Sequence, residues 1–246
     1  MRETVETVEL DEASLGPREK CLDTMPQEPE EESFMGNWTQ HFQSLFPPLN
    51  VLQQRVSLAM YRLLCKGQPI SLQILSQRLE IPIEVLQDLL NRCPLTHFDD
   101  QGQIMAYRGL TLKTTPHRLK IENGSVLYAW CAWDTLFLPE ILKANVQVDS
   151  ICPTTRSPIH LNLSPQGVEQ IEPEETVISF VNPNTVEIEE HIVAHLCPYV
   201  HFFASKEAGL TWTQQHSGTL LLTIDQAHRL GRKINAVQYT DSQRSS

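Results

Sequence analysis

The sequence lacks any apolar run close to the roughly 20 residues that a membrane-spanning helix needs. Its first residues also lack the basic and then apolar pattern of a secretion signal, because Arg2, Glu3 and Glu6 lie there instead. Glycine is scarce, with 10 in 246 residues, whereas 41% of the residues are hydrophobic, enough to bury a sizeable core. These features predict a globular protein of the cytoplasm with no membrane partner.

Paired cysteine motifs are absent as well. The six cysteines are widely dispersed and none belongs to a C-x-x-C pair: Cys21, Cys65, Cys93, Cys131, Cys152 and Cys197. A zinc ribbon and a thioredoxin-type redox motif are therefore not supported. Because no export signal is evident, we expect reduced thiols. Any metal site must bring together cysteines that are distant in the sequence.

Basic residues are few, since 19 Lys and Arg stand against 30 Asp and Glu, for a net charge of −11. This balance argues against a general nucleic-acid binder. The charge is uneven, because residues 1–34 hold 11 acidic and 3 basic residues. That stretch has too few apolar residues to offset the entropy lost on folding. Residues 1–36 are therefore predicted to form a disordered acidic tail.

Residues 37–110 show the pattern of a small helical domain. Helical apolar spacing over residues 51–65 is followed by a helix over 72–79 and a third over 83–93, which begins beside Pro82. Two short strand-like segments then flank a polar turn at residues 99–102, as in a hairpin. Three helices and a hairpin predict a winged-helix-like domain.

DNA binding is the obvious function of such a domain, but its third helix carries Glu84 and Asp88 against a single Arg92. Such a surface is poor for phosphates. A structural or vestigial role is the favoured interpretation, and nucleic acid is not expected as a partner.

Residues 111–246 change to short strand-like segments and predict an α+β domain with a mixed or antiparallel sheet and flanking helices. Its predicted strands cover residues 112–114, 118–121, 126–129, 146–151, 159–163, 177–181 and 200–204. Its predicted helices cover residues 130–142, 206–216 and 226–237, the last capped by Asp225.

The segment LYAWCAWDTLFLP, residues 127–139, places Cys131 in the predicted first turn of a helix. Free backbone N–H groups and the helix dipole favour a thiolate there. Asp134 lies three residues on, on the same helix face. A buried structural cysteine beside a capping aspartate explains the same spacing, so the pair alone does not decide between a structural and a chemical role.

A second segment, residues 192–205, places Cys197 before Pro198 and an aromatic strand. Proline biases the preceding residue toward an extended conformation, which would expose the sulfur at the rim of a site. A buried structural cysteine is the simpler interpretation of this segment alone. Nearby histidines suggest a Cys-His nucleophile or a zinc site, but the remaining partners of either are not identifiable.

Taken together, three stretches resemble the alkylmercury (organomercurial) lyases: WCAWDTL at residues 130–136, Cys152, and CPYVHFFAS at residues 197–205. The resemblance runs from about residue 69 to residue 237 and includes YRGLT at residues 107–111. The chain departs from the family in carrying Pro198 where several relatives have a second adjacent cysteine. Its acidic N-terminal extension is also longer than the family's.

The resemblance implies that Cys131 and Cys197 are the two essential cysteines, that Asp134 is the acid, and that Cys152 is structural. It also implies cleavage of a carbon–mercury bond by proton transfer, giving a hydrocarbon and Hg(II). No organic cofactor is expected. The implied partners are the organomercurial substrate, small cellular thiols that release the product, and a mercuric reductase that receives Hg(II).

Two other functions fit the same residues. One is a winged-helix regulator that senses a soft metal through the cysteines without breaking a bond. The other is a metal carrier in which a dithiol binds copper or mercury and Asp134 only caps a helix.

Overall fold

The computed structural model describes residues 28–45, 48–93, 95–182 and 196–239. Within these ranges the helices are α1 (Glu28–Leu45), α2 (Val51–Leu64), α3 (Leu72–Leu79), α4 (Ile83–Asn91), α5 (Ala132–Leu142), α6 (Lys206–Thr213) and α7 (Ile224–Gln238). The strands are β1 (Thr96–Phe98), β2 (Ile104–Tyr107), β3 (Leu110–Thr111), β4 (His117–Ile121), β5 (Val126–Ala129), β6 (Val146–Ile151), β7 (Pro158–Ser164), β8 (Gly167–Glu172), β9 (Val177–Val181), β10 (Phe202–Phe203) and β11 (Thr219–Thr223).

Two antiparallel sheets organise these elements. The larger has the strand order β1-β2-β3-β5-β4-β6-β7-β8, and the smaller has the order β10-β9-β11. Strand β6 shows why the large sheet forms, since Val146, Val148 and Ser150 are buried on one face while the residues between them face outward. The α+β class is confirmed, and of the mixed or antiparallel pairing predicted from the sequence the described strands show the antiparallel alternative.

The predicted N-terminal helices lie where expected. Helix α2 begins with a reciprocal cap in which Asn50 and Gln53 each accept the other's backbone N–H. The β1–β2 hairpin also forms, with the carboxylate of Asp99 accepting two N–H groups of its turn. Through β3 this hairpin continues into the large sheet, and the proposed domain boundary after residue 110 falls within β3. The winged-helix classification therefore stays a prediction.

Helix α1 corrects the predicted extent of the acidic tail. Residues 28–36, assigned to that tail, belong to this helix, while residues 1–27 lie outside the described part of the chain. Met35 and Trp38 share a face of α1, and both are buried. The Trp38 ring meets Phe180 of β9 edge to face at 5.1 Å. Two apolar anchors thus order a segment whose average composition is strongly acidic.

Several element limits differ from those predicted. The strand expected at residues 112–114 lies at Leu110–Thr111, and strands β8 and β11 were not predicted. The strand expected from residue 200 is shortened to Phe202–Phe203 by a preceding turn. The cap of α7 is Thr223 instead of Asp225, because the Thr223 hydroxyl accepts the N–H of Gln226.

Helix α5 is capped at its N-terminus by Cys131, one of the predicted site residues, and α7 packs against one side of this helix. The indole N–H of Trp133 donates to the backbone carbonyl of Ala227 at 2.9 Å. Close approach of the two helices depends on Gly231, where a Cβ would lie only 2.7 Å from Cβ of Phe137. The N-terminus of α5 is therefore fixed between the large sheet and α7.

Candidate active site

Cys131 is the N-cap of α5, immediately after β5, and not a residue of the first turn as predicted. Its backbone N–H donates to a carboxylate oxygen of Asp134 at 2.9 Å, and the N–H of Asp134 is directed at its sulfur. This is the reciprocal capping geometry that a three-residue spacing produces. Asp134 therefore does cap the helix, and the same contact holds its carboxyl beside the thiol.

Cys197 lies in a 3₁₀ turn, Cys197–Tyr199, that precedes β10. The extended conformation predicted from Pro198 is wrong, because N–H groups of the following residues fold back onto the carbonyls of Leu196 and Cys197. Cys197 is half-buried, consistent with a position at the rim of a pocket.

The two segments meet in space. The N–H of Ala132, next to Cys131, donates to the carbonyl of Val200 at 3.2 Å. The sulfurs of Cys131 and Cys197 and a carboxylate oxygen of Asp134 all lie within 4.8 Å of one another. Two cysteines 66 residues apart therefore form a dithiol beside an acid. Among the described residues, no histidine joins this cluster.

Burial governs the protonation of the cluster. It raises the pKa of the Cys131 thiol well above its usual range, and the hydrogen bond with Cys197 and the charge of Asp134 raise that pKa further. Burial also raises the pKa of Asp134, to about 6, although hydrogen bonds from Cys131 partly oppose this. Cys131 is thus a neutral thiol at neutral pH, and Asp134 exchanges its proton close to neutrality.

A glycine makes room for the Asp134 carboxyl. Gly109 has φ +93°, and a Cβ there would lie 2.5 Å from the Asp134 oxygen Oδ1. The turn is held on both sides, because Trp130 donates its N–H to the Gly109 carbonyl and the Tyr61 hydroxyl donates to the Arg108 carbonyl, each at 2.9 Å.

The cluster opens into a pocket. Its walls are mostly apolar and include Trp130, Trp133, Phe137, Ile141, Leu196 and Ile234. Arg108 and Gln238 also line the pocket and make one part of its wall polar. Nη2 of Arg108 donates a hydrogen bond to the Gln238 side chain at 2.8 Å. From the sequence, Arg108 and Gly109 belong to the family-like stretch YRGLT but were not assigned to the site, and neither were the α7 residues. The glycine after strand β2 was the available signal for that turn.

Cys152 lies apart from the cluster. It is buried in the loop after β6, where its sulfur accepts the N–H of Thr155 at 3.4 Å. Burial raises the pKa of this thiol, but hydrogen bonds, first among them those from Thr155, outweigh that effect and leave it lowered. Tight backbone contacts of this kind are compatible with the structural role expected for Cys152, which remains a prediction.

A buried thiol, a half-buried thiol and an acid in a mostly apolar pocket form a site that can ligate soft metals or their organic compounds through thiolates. Comparison with known proteins makes this specific. The alkylmercury lyase (MerB) family model matches residues 110–236, which include the whole cluster. The chain belongs to the alkylmercury lyase family.

Individual relatives agree with this assignment. The chain is 34% identical to an alkylmercury lyase of Pseudomonas putida over 211 residues, 86% of this chain and 92% of that protein. It is also 34% identical to an alkylmercury lyase of Staphylococcus epidermidis over 181 residues, 74% and 81% of the two chains. The crystal structure of a mercury-bound form of MerB2 shares the fold, with a TM-score of 0.67 at 22% identity, covering 83% of this chain and 98% of that one.

Proposed function

We propose that the protein cleaves the carbon–mercury bond of organomercurials, releasing a hydrocarbon and Hg(II). The observation that carries this proposal is the convergence of Cys131, Cys197 and Asp134 within 4.8 Å in a chain of the alkylmercury lyase family. Thiolates are the preferred ligands of soft mercury, and a neighbouring carboxyl can move a proton.

Binding begins with exchange of thiols on mercury. In R–Hg–SR′, Cys197 is the more accessible ligand because it is half-buried, whereas Cys131 is completely buried. Each cysteine must lose its proton to coordinate. One proton leaves with the displaced thiolate as R′SH, and the other passes to the Asp134 carboxylate that contacts Cys131.

Cleavage follows once both sulfurs donate to mercury. Electron density then shifts toward the carbon, and Asp134 delivers its proton there as a general acid. The Hg–C bond breaks, a C–H bond forms, and Hg(II) stays bound to two thiolates. A pKa of about 6 suits both halves of this cycle, since Asp134 can accept a proton and give it up near neutral pH.

The apolar walls of the pocket receive the organic group. Trp130, Trp133 and Phe137 are adjacent to the cluster and keep water away from it. Their aromatic surfaces accommodate both alkyl and aryl substituents.

Product release requires a competing thiol, because two thiolates hold Hg(II) tightly. We propose small cellular thiols as that competitor and a mercuric reductase as the acceptor of Hg(II), in the cytoplasm and without an organic cofactor.

Among the described residues, no helix is long and apolar enough to span a membrane. We also keep as proposals the winged-helix-like domain of residues 37–110, the catalytic domain of residues 111–246 and the structural role of Cys152.

The direct test is the release of methane or benzene from methyl- or phenylmercury by the purified protein with excess thiol. Gas chromatography of the headspace should detect the hydrocarbon with the wild type and not with Cys131→Ser or Cys197→Ser. Hydrocarbon release by both variants at the wild-type rate would refute the roles assigned to the thiols. Cysteine-dependent binding of Hg(II) without any hydrocarbon would favour the sensor or carrier function.

A further inference from the structure

The turn that carries Cys197 is held by hydrogen bonds from a residue that directly follows it and from two distant parts of the chain. The carbonyl of Pro198 bonds to the His201 ring at 2.8 Å, that of Tyr199 accepts the Ser179 hydroxyl at 2.7 Å, and that of Val200 accepts the Ala132 N–H at 3.2 Å. Three consecutive peptide groups are thus fixed from outside the turn. A single 3₁₀ turn has few internal hydrogen bonds of its own, so its position depends on these contacts.

His201 is arranged as a hydrogen-bond donor. A carbonyl oxygen can only accept, so the ring nitrogen Nε2, 2.8 Å from the Pro198 carbonyl, carries the proton. The ring is packed edge to face against Trp212 at 5.4 Å and lies 6.5 Å from the ring of His117, nearly parallel to it. These contacts fix the ring orientation, and therefore the direction of the Nε2 donor.

Ser179 links the same turn to the centre of the small sheet. It is completely buried on β9, the middle strand. While its hydroxyl donates to Tyr199, it also accepts the backbone N–H of His201 at 3.0 Å. Its own backbone N–H donates to the His201 carbonyl at 3.0 Å. Ser179 and His201 therefore form one connected network under the Cys197 turn.

Cys131 is fixed by the cap of α5 and is joined to the Cys197 turn by the Ala132 to Val200 hydrogen bond, so the separation of the two sulfurs also depends on the other contacts that hold the turn. We propose that His201 and Ser179 are positioning residues that hold the Cys197 sulfur at the separation needed for both thiolates to ligate one mercury ion. The inference deepens the proposed function, on which it rests for its relevance to catalysis. Neither residue contacts the reacting atoms.

The test measures protein-bound Hg(II) in competition with glutathione, by equilibrium dialysis followed by mercury analysis of the two compartments. His201→Leu removes the donor, whereas His201→Gln can place an amide N–H near the position of Nε2. We expect His201→Leu to weaken Hg(II) binding about fivefold to tenfold, as for loss of one well-placed hydrogen bond, and His201→Gln to restore most of it. Ser179→Ala, a small truncation, should weaken binding to a similar extent.

A double-mutant cycle separates positioning from general stability. In a Cys197→Ser background, His201→Leu should have no further effect on Hg(II) affinity, because the group it positions has lost its sulfur. An equal loss in both backgrounds would overturn the proposal, as would unchanged affinity in both His201→Leu and Ser179→Ala. Hydrocarbon release by the wild type is measured separately. If the wild type releases no hydrocarbon, the lyase function is refuted. The double-mutant cycle on Hg(II) affinity still decides whether His201 and Ser179 position Cys197.

Discussion

Replacing Asp134 with asparagine should abolish hydrocarbon release and at the same time stabilise the folded protein at neutral pH. Asparagine has the same shape and can still accept the N–H of Cys131, so the helix cap is retained. It cannot accept or deliver the proton in the proposed cycle. It also removes a negative charge from a position that is only 7% exposed.

The size of the stabilisation follows from the pKa of Asp134, which burial raises from 3.8 to about 6. The folded protein therefore binds this proton more tightly than the unfolded chain does. Protonated Asp134 therefore contributes about 3 kcal/mol to the free energy of unfolding at low pH. This contribution is lost as the pH rises through about 6. Asparagine does not titrate, so the stability advantage of Asp134→Asn should be about 1 kcal/mol larger at pH 7 than at pH 5.

Urea denaturation of both proteins at the two pH values measures this difference, and headspace chromatography measures turnover. Hg(II) binding should persist in the variant, because both thiols remain. An advantage equal or smaller at pH 7 than at pH 5 would show that the pKa of Asp134 is not raised. Wild-type turnover by Asp134→Asn would refute its role as the acid.

The remaining predictions concern the turn beside Asp134 and the order of thiol reactivity. Gly109→Ala should lower turnover by about 100-fold, since its Cβ would displace the carboxyl. Gly102→Ala is the matched control, because it has φ +73° with nothing within 4 Å, and its turnover should stay near wild type. Iodoacetamide should modify Cys197 before Cys131, as read by mass spectrometry of peptides. Prior modification of Cys131 would contradict the burial of its sulfur.

Local patterns predicted much of the fold, because strands β5, β6 and β9 and helix α3 are defined by short-range apolar periodicity and turn residues. The failures have physical causes. Helix α1 is ordered by the burial of Met35 and Trp38, and Trp38 packs against Phe180 of β9, far along the chain. The turn at Cys197 depends on bonds from Ser179 and from the α5 region, and these override the local preference imposed by Pro198.

For the site as well, contacts between residues close in the sequence could be predicted, whereas contacts between distant residues could not. The Cys131 and Asp134 pair could be predicted because capping geometry links residues three apart. The contact with Cys197 was expected only from family resemblance, since spacing says nothing about two segments 66 residues apart. The structure brings them together through the Ala132 to Val200 hydrogen bond and the network beneath the turn.

The protonation of the cluster explains how a buried site can await an organomercurial. Two thiolates and a carboxylate within 4.8 Å would place three negative charges in an apolar pocket, at a large desolvation cost. Burial instead keeps the Cys131 proton on its sulfur and brings the pKa of Asp134 to about 6. In the proposed cycle, the proton needed at the departing carbon is thus already present in the free protein. Mercury, by ligating the sulfurs, supplies the positive charge that releases it.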